Sequence, residues 1–143
     1  MSSLLTDIQA SKPGSYIFMT AFGVNGEVML DPTAPDPATT TLTNVFLAAI
    51  ERQVNLRVLI NENLYLHSGL SFCKPLNDKA GETVCAPETR HNKVQGSLHA
   101  KMWAFVNEEE IVSYVGSMVS TRNLGKKALR VEGGAKLLQR VER

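Results

Sequence analysis

The stretch Ser97-Leu-His-Ala-Lys-Met-Trp-Ala-Phe-Val106 restricts the fold of this chain more than any other. It reads as a strand. Leu98, Ala100, Met102, Ala104 and Val106 fall on one face at period two, and Ser97, His99, Lys101, Trp103 and Phe105 on the other. His99 and Lys101 therefore point the same way from a rigid element, about 7 Å apart along the strand. Asn107-Glu-Glu-Glu110 reads as a polar turn, and Ile111-Val-Ser-Tyr-Val115 as the returning strand of a hairpin. The hairpin delivers Gly116-Ser117 beside the His/Lys strand.

An imidazole and an ammonium on one strand face, with Gly-Ser on the partner strand, make a phosphate-holding arrangement. Lys101 supplies charge, Ser117 and the backbone N–H groups supply donors, and His99 supplies a nucleophile or general base. The plainer reading is that a His and a Lys two apart have landed on a solvated face by chance. The apolar strand around them and the Gly-Ser at the hairpin's close favour a site.

The residues ahead of the hairpin set the fold class. Leu4, Leu5 and Ile8 sit at helical spacing, and Lys12-Pro13-Gly14 ends that helix. Residues 15–22 read as a buried strand and Glu27–Leu30 as a strand end or packed loop. The proline-rich segment 31–37 is a loop. Thr39–Thr43 offers helix N-caps before the stripe Leu42, Val45, Phe46, Ala49 and Ile50. Asn55–Ile60 is a second strand. Helix, strand, helix, strand implies a parallel βαβ unit and an α/β class.

His99-x-Lys101 followed by a hairpin ending in Gly116-Ser117 resembles the phospholipase D superfamily, whose motif is HxKxxxxDxxxxxxGSxN. His, Lys, Gly and Ser match. The Asp position is Val106 and the Asn position is Val119. Gly116 stands fifteen residues after Lys101, where the family has twelve, so the hairpin is longer. The chain is more similar to the branch containing metal-independent restriction endonucleases, which tends to lack the Asp and lengthen the hairpin. The stretch around Glu51-Arg-Gln leading into the second strand also looks like the family, so the likeness covers most of residues 1–125. Its specific part is residues 97–117.

The resemblance implies a single phospholipase D-like domain over 1–143, with a mixed, largely parallel sheet flanked by helices. It implies His99 as nucleophile, Lys101 and Ser117 as phosphate ligands, and Glu132 as the acidic residue that follows Gly-Ser in the endonuclease branch. Gly116, Ser120, Arg122 and Asn123 are candidate substrate contacts. Asn123, four positions late, is a substitute for the missing Asn. No cofactor and no metal are implied. Family enzymes bring two motifs to one active site, and this motif occurs once, so a homodimer with a shared site is expected. The second imidazole would protonate the leaving oxygen.

Charge and composition narrow the rest. A 43% hydrophobic and 20% charged chain of 143 residues is globular and large enough for a core. Net charge is +1, so any polyanion site is a local patch and not a global field. Lys126, Lys127 and Arg130 form one basic stretch after the hairpin, either a solvated surface or a polyanion contact. No apolar run reaches bilayer length, and the amino terminus does not resemble a signal peptide, so a cytoplasmic location without membrane contact is the expectation.

Two segments read less clearly. Residues 61–96, with Gly69, Pro75, Gly81, Pro87 and Gly96, read as a long loop, either solvated or a basic substrate-binding flap. Cys73 and Cys85 within it read as free thiols in a cytosolic protein, with a disulfide left open. The flanking His67 and His91 suggest a zinc site, but the spacing fits no common zinc pattern. After Gly133-Gly134, Ala135–Val141 reads as a short helix.

Three functions remain. One is a metal-independent phosphodiesterase acting on nucleic acid, DNA foremost. Another is a catalytically silent relative that binds nucleic acid or a protein. The third is a phospholipase, which the want of an exposed apolar helix disfavours.

Overall fold

The computed structural model describes residues 3–61, 68–88, 101–116 and 128–134. Within them the elements run in the order α1 (Ser3–Ala10), β1 (Tyr16–Ala21), a 3-10 turn (Pro37–Thr40), α2 (Leu42–Glu51), β2 (Asn55–Asn61), α3 (Ser68–Ala80), β3 (Cys85–Glu88), β4 (Met102–Val106), β5 (Glu110–Gly116) and β6 (Ala128–Gly134). The strands form one sheet ordered β3-β2-β1-β4-β5-β6. The class is α/β, as the alternation of elements predicts.

The sheet is mixed but not largely parallel. β1–β2 and β2–β3 are parallel, whereas β1–β4, β4–β5 and β5–β6 are antiparallel. The hairpin accounts for the antiparallel β4–β5 pair, because a tight turn reverses the chain. Asn107 makes the turn: its Oδ1 accepts from the N–H groups of Glu109 and Glu110, both at 2.8 Å.

One face of the sheet holds the core. Ile17, Met19 and Ala21 of β1, Leu56, Val58 and Ile60 of β2, Trp103 and Phe105 of β4, and Val112 and Tyr114 of β5 are all buried. The three described helices pack there. Phe46 of α2 lies 5.4 Å from the Trp103 ring and 6.1 Å from Phe72 of α3. Tyr114 donates its hydroxyl hydrogen bond to Asp7 of α1. Fully burying one large apolar side chain contributes about 1.5–3 kcal/mol, so this aromatic row is a major tie between helices and sheet.

The other face carries Phe18, Met102 and Val115 exposed, with Ala104 and Val106 half-buried. The core side of β4 is thus the Trp103/Phe105 side, which has the parity of Lys101. The Met102/Ala104/Val106 face, apolar at every position, is the less buried of the two. Aromatic volume decides it, because Trp103 and Phe105 remove more apolar area from water than Ala104 and Val106.

The expected long loop over 61–96 is a second correction, since it contains α3 and β3. Phe72, Cys73 and Leu76 are buried at helical spacing. Gly69, Pro75 and Gly81 hide that pattern in the sequence, because a proline inside a helix removes a hydrogen bond. Tertiary ties hold the helix nonetheless. Asn77 Oδ1 accepts from the N–H groups of Val84 at 2.9 Å and Cys85 at 2.8 Å, while its Nδ2 donates to the Cys85 carbonyl at 2.9 Å. Cys73 and Cys85 are not free thiols. They form a buried disulfide joining α3 to β3. Bonded sulfurs supply no thiolates, so the zinc reading of His67, Cys73, Cys85 and His91 fails as well.

The third correction is β6. The stretch read as basic surface up to a Gly-Gly break is a strand paired with β5 along its length. Glu27–Leu30 is packed loop, touching α2's cap through a lone bridge between Met29 and Thr41. The helix expected over 135–141 lies outside the described residues.

Candidate active site

Parallel strands β1 and β2 end at Ala21 and Asn61, and at that same end of the sheet β4 begins, β5 ends and β6 begins. In open α/β sheets, ligands sit outside the carboxyl ends of the parallel strands. Met102 pairs with Thr20 on one side and Val115 on the other. Lys101 immediately precedes β4 at this end, and Gly116 closes β5 there and pairs with Ala128. Both of these expected site residues thus lie at one end of the sheet.

Lys101 is half-buried, and its Nζ lies 5.5 Å from the centre of the Phe22 ring. Phe22 follows directly on β1. The loop after it is held against α2. Gly26 and Val28 carbonyls accept from the N–H groups of Thr43 at 3.0 Å and Leu42 at 2.9 Å. Thr41 caps the same helix, its Oγ1 accepting from the Asn44 N–H at 3.3 Å. Gly26 is required there, since a Cβ would fall 2.2 Å from Thr43 Oγ1 and 2.8 Å from a Phe72 ring carbon. These bonds use the leading N–H groups of α2. The helix terminus is thereby spent on its own loop and does not offer the usual anion seat.

His99, Ser117, Ser120, Arg122 and Asn123 lie outside the described residues. Glu132 is described in its backbone, and its position corrects the expectation that it joins Lys101. It pairs with Val112, and Val112 with Phe105. That row is four residues from the Gly116–Ala128 row, about 14 Å along the strands, beyond the reach of a glutamate side chain. The basic stretch was read as surface and not as a strand; extended as β6, it sets the Glu132 backbone apart from Lys101 within the chain.

Sequence reasoning also missed two residues. Phe22 is the last of an apolar run and looked like core. Asn61 closes the run Leu-Arg-Val-Leu-Ile-Asn and is 1% exposed, although it is polar. Its position at the carboxyl end of a parallel strand was the available signal.

The chain matches no protein-family model and no curated protein.

Proposed function

We propose that this chain is a single-motif, phospholipase D-like phosphodiesterase that cleaves nucleic acid without a metal, at a site shared by two copies. In this reading the His99 imidazole nitrogen attacks phosphorus, and the bond from phosphorus to the leaving oxygen breaks. The imidazolium of the second copy gives that oxygen its proton. The second copy's imidazole, now neutral, takes a proton from water as that water attacks the phosphohistidine; the P–N bond breaks, releasing the phosphate monoester and restoring both the free His99 imidazole and the second copy's imidazolium. Lys101 and the Gly116-Ser117 segment hold the non-bridging oxygens. Glu132, well removed from Lys101 along the sheet, is left out of the mechanism.

The observation that supports this reading is that Lys101, just before β4, and Gly116, the last residue of β5, both lie at the end of the sheet where β1 and β2 finish. A catalytically silent binding domain is the second reading, favoured by Val106. That residue stands at the family's Asp position and is an ordinary ladder residue between Tyr16 and Ile111. Cleavage of DNA in excess EDTA separates the two. The enzyme reading expects full activity in chelator and none in His99→Ala. Activity that vanishes with EDTA and returns with magnesium rules out the metal-free mechanism, and no cleavage under either condition leaves the silent domain.

No helix among the described residues is long and apolar enough to cross a membrane. The cytoplasmic setting expected from composition conflicts with the Cys73–Cys85 bond, because such bonds persist in oxidising compartments. We therefore favour an oxidising compartment. Alkylation of intact cells before lysis checks this: unlabelled cysteines are expected, and labelled ones return the protein to the cytosol.

A further inference from the structure

We infer that Asn25-Gly26 is a self-modification site, at which the Gly26 backbone nitrogen attacks the Asn25 side-chain amide and the chain rearranges to isoaspartate, loosening the loop's hold on α2. The site is independent of the proposed phosphodiester chemistry and takes no reactant but water.

Sequence and turn geometry both point to it. Among the chain's asparagines only Asn25 is followed by glycine. Any other residue there puts a side chain beside the attacking nitrogen. The pair lies in a turn after β1, which the Val28 N–H closes on the Asn25 carbonyl at 3.2 Å. Asn25 is exposed, so water reaches it. Its Oδ1 accepts from the Glu27 N–H at 3.0 Å. The ring closed by that hydrogen bond contains both reacting atoms, Asn25 Cγ and Gly26 N, and keeps them near each other. The same N–H polarises the amide carbonyl and stabilises the negative charge that grows on Oδ1 during attack. Among the described residues nothing accepts from the Gly26 N–H, so no hydrogen bond has to break before its proton leaves. Asn77 is the contrast: it precedes Asp78 within α3, and its amide is bonded at both ends.

The step balances with water alone. Gly26 N forms a bond to Asn25 Cγ and gives up its proton, the Cγ–Nδ2 bond breaks, and ammonia leaves with that proton. Water then opens the succinimide. Opening at Cγ gives aspartate. Opening at the backbone carbonyl gives isoaspartate, whose main chain runs through Cβ and Cγ and is longer by a methylene. Aspartate keeps the turn, because a carboxylate oxygen still accepts from the Glu27 N–H. Isoaspartate does not fit. The loop is tied to α2 at two points, where the Gly26 and Val28 carbonyls accept from Thr43 at 3.0 Å and Leu42 at 2.9 Å. Gly26 lies so close to α2 and α3 that even an added Cβ would meet Thr43 Oγ1 at 2.2 Å and a Phe72 ring carbon at 2.8 Å. The extra backbone atom therefore cannot be taken up toward the helices, and it pushes Gly26 away from Thr43. The leading N–H groups of α2 then lose their partners.

Ageing the purified protein at neutral pH and body temperature tests the site. Intact mass should rise by the difference between an amide and a carboxyl. Peptide mapping should place the gain at Asn25, and labelling with an isoaspartyl methyltransferase should report isoaspartate there. Asn25→Ser, which keeps a turn acceptor and has no amide, should gain nothing at this position. The folded protein should convert at least as fast as a free peptide of residues 22–30. Slower conversion in the folded chain means that the fold shields Asn25, and overturns the proposal. The isoaspartate fraction is then separated by ion exchange. Its Leu42 and Thr43 amide hydrogens should exchange with deuterium faster than in fresh protein, whereas in freshly prepared Asn25→Asp they should exchange as in the parent. Parent-like exchange in the isoaspartate fraction overturns the loosening of α2.

Discussion

At the scale of single residues, the account rests on Lys101. In the proposed mechanism its charge meets a phosphate charge that exists both before and during bond cleavage, so its removal should damage binding as well as turnover. Lys101→Ala is expected to lower kcat/KM by about 10²–10³-fold, the usual cost of losing one preorganised donor to a developing anion. Lys101→Arg should not restore it fully, because the guanidinium is longer and planar. Steady-state kinetics on a short DNA duplex measures both; parent-like values in Lys101→Ala would make the residue an ordinary strand-end lysine. The β4–β5 hairpin was legible because period-two alternation and turn chemistry are local. The nearness of Lys101 to Phe22 was not, since β1 and β4 are distant in the chain and no window of sequence contains both.

Elements show the same division between local and distant causes. The stretches that became α1, β1, α2 and β2 announced themselves by spacing, capping and apolar runs. α3 did not. Its glycine and proline punctuation contradicts the helical spacing of Phe72, Cys73 and Leu76, and the helix is secured from outside by the bonds of Asn77 to Val84 and Cys85, by the disulfide and by an ion pair to α2. Closing a loop of this length with a disulfide stabilises by about 3 kcal/mol, comparable to the penalty of one proline in a helix interior. The ion pair joins Lys79 Nζ of α3 to Glu51 of α2 at 2.6 Å. The hydrogen bond and the charge of Lys79 hold the Glu51 carboxyl below its ordinary value of 4.5. A carboxyl depressed in the folded state contributes stability above its unfolded pKa and loses it as pH falls through the folded one. The parent's advantage over Lys79→Met should therefore be present at neutral pH, small because the pair is exposed, and fade below pH 4.5. Urea midpoints of the two proteins at several pH values check it; an advantage that grows toward acid would contradict the pairing. β6 escaped notice for another reason: Arg130 and Glu132 within it suggested surface, and only pairing with β5 makes the segment a strand.

For the whole molecule, the sheet's composition follows from its connections. The helical crossover between β1 and β2 makes that pair parallel, and the hairpin makes β4 and β5 antiparallel. Their junction, β1 against β4, is where Lys101 and Phe22 come together. A site at such a junction takes residues from segments eighty positions apart in the chain, which is why fold class was readable from the sequence and the full site was not. A motif present once also leaves the proposed chemistry with one imidazole per chain, so the second must come from another copy. The covalent intermediate brings the claims together. The protein is mixed with excess DNA in EDTA, quenched within the first turnover under alkaline denaturing conditions that preserve phosphohistidine, and weighed intact before peptide mapping. The account predicts a phosphoryl-linked nucleotide on His99, at one adduct per two chains. DNA cleavage with no adduct would contradict the covalent mechanism, and one adduct on every chain would contradict the shared site.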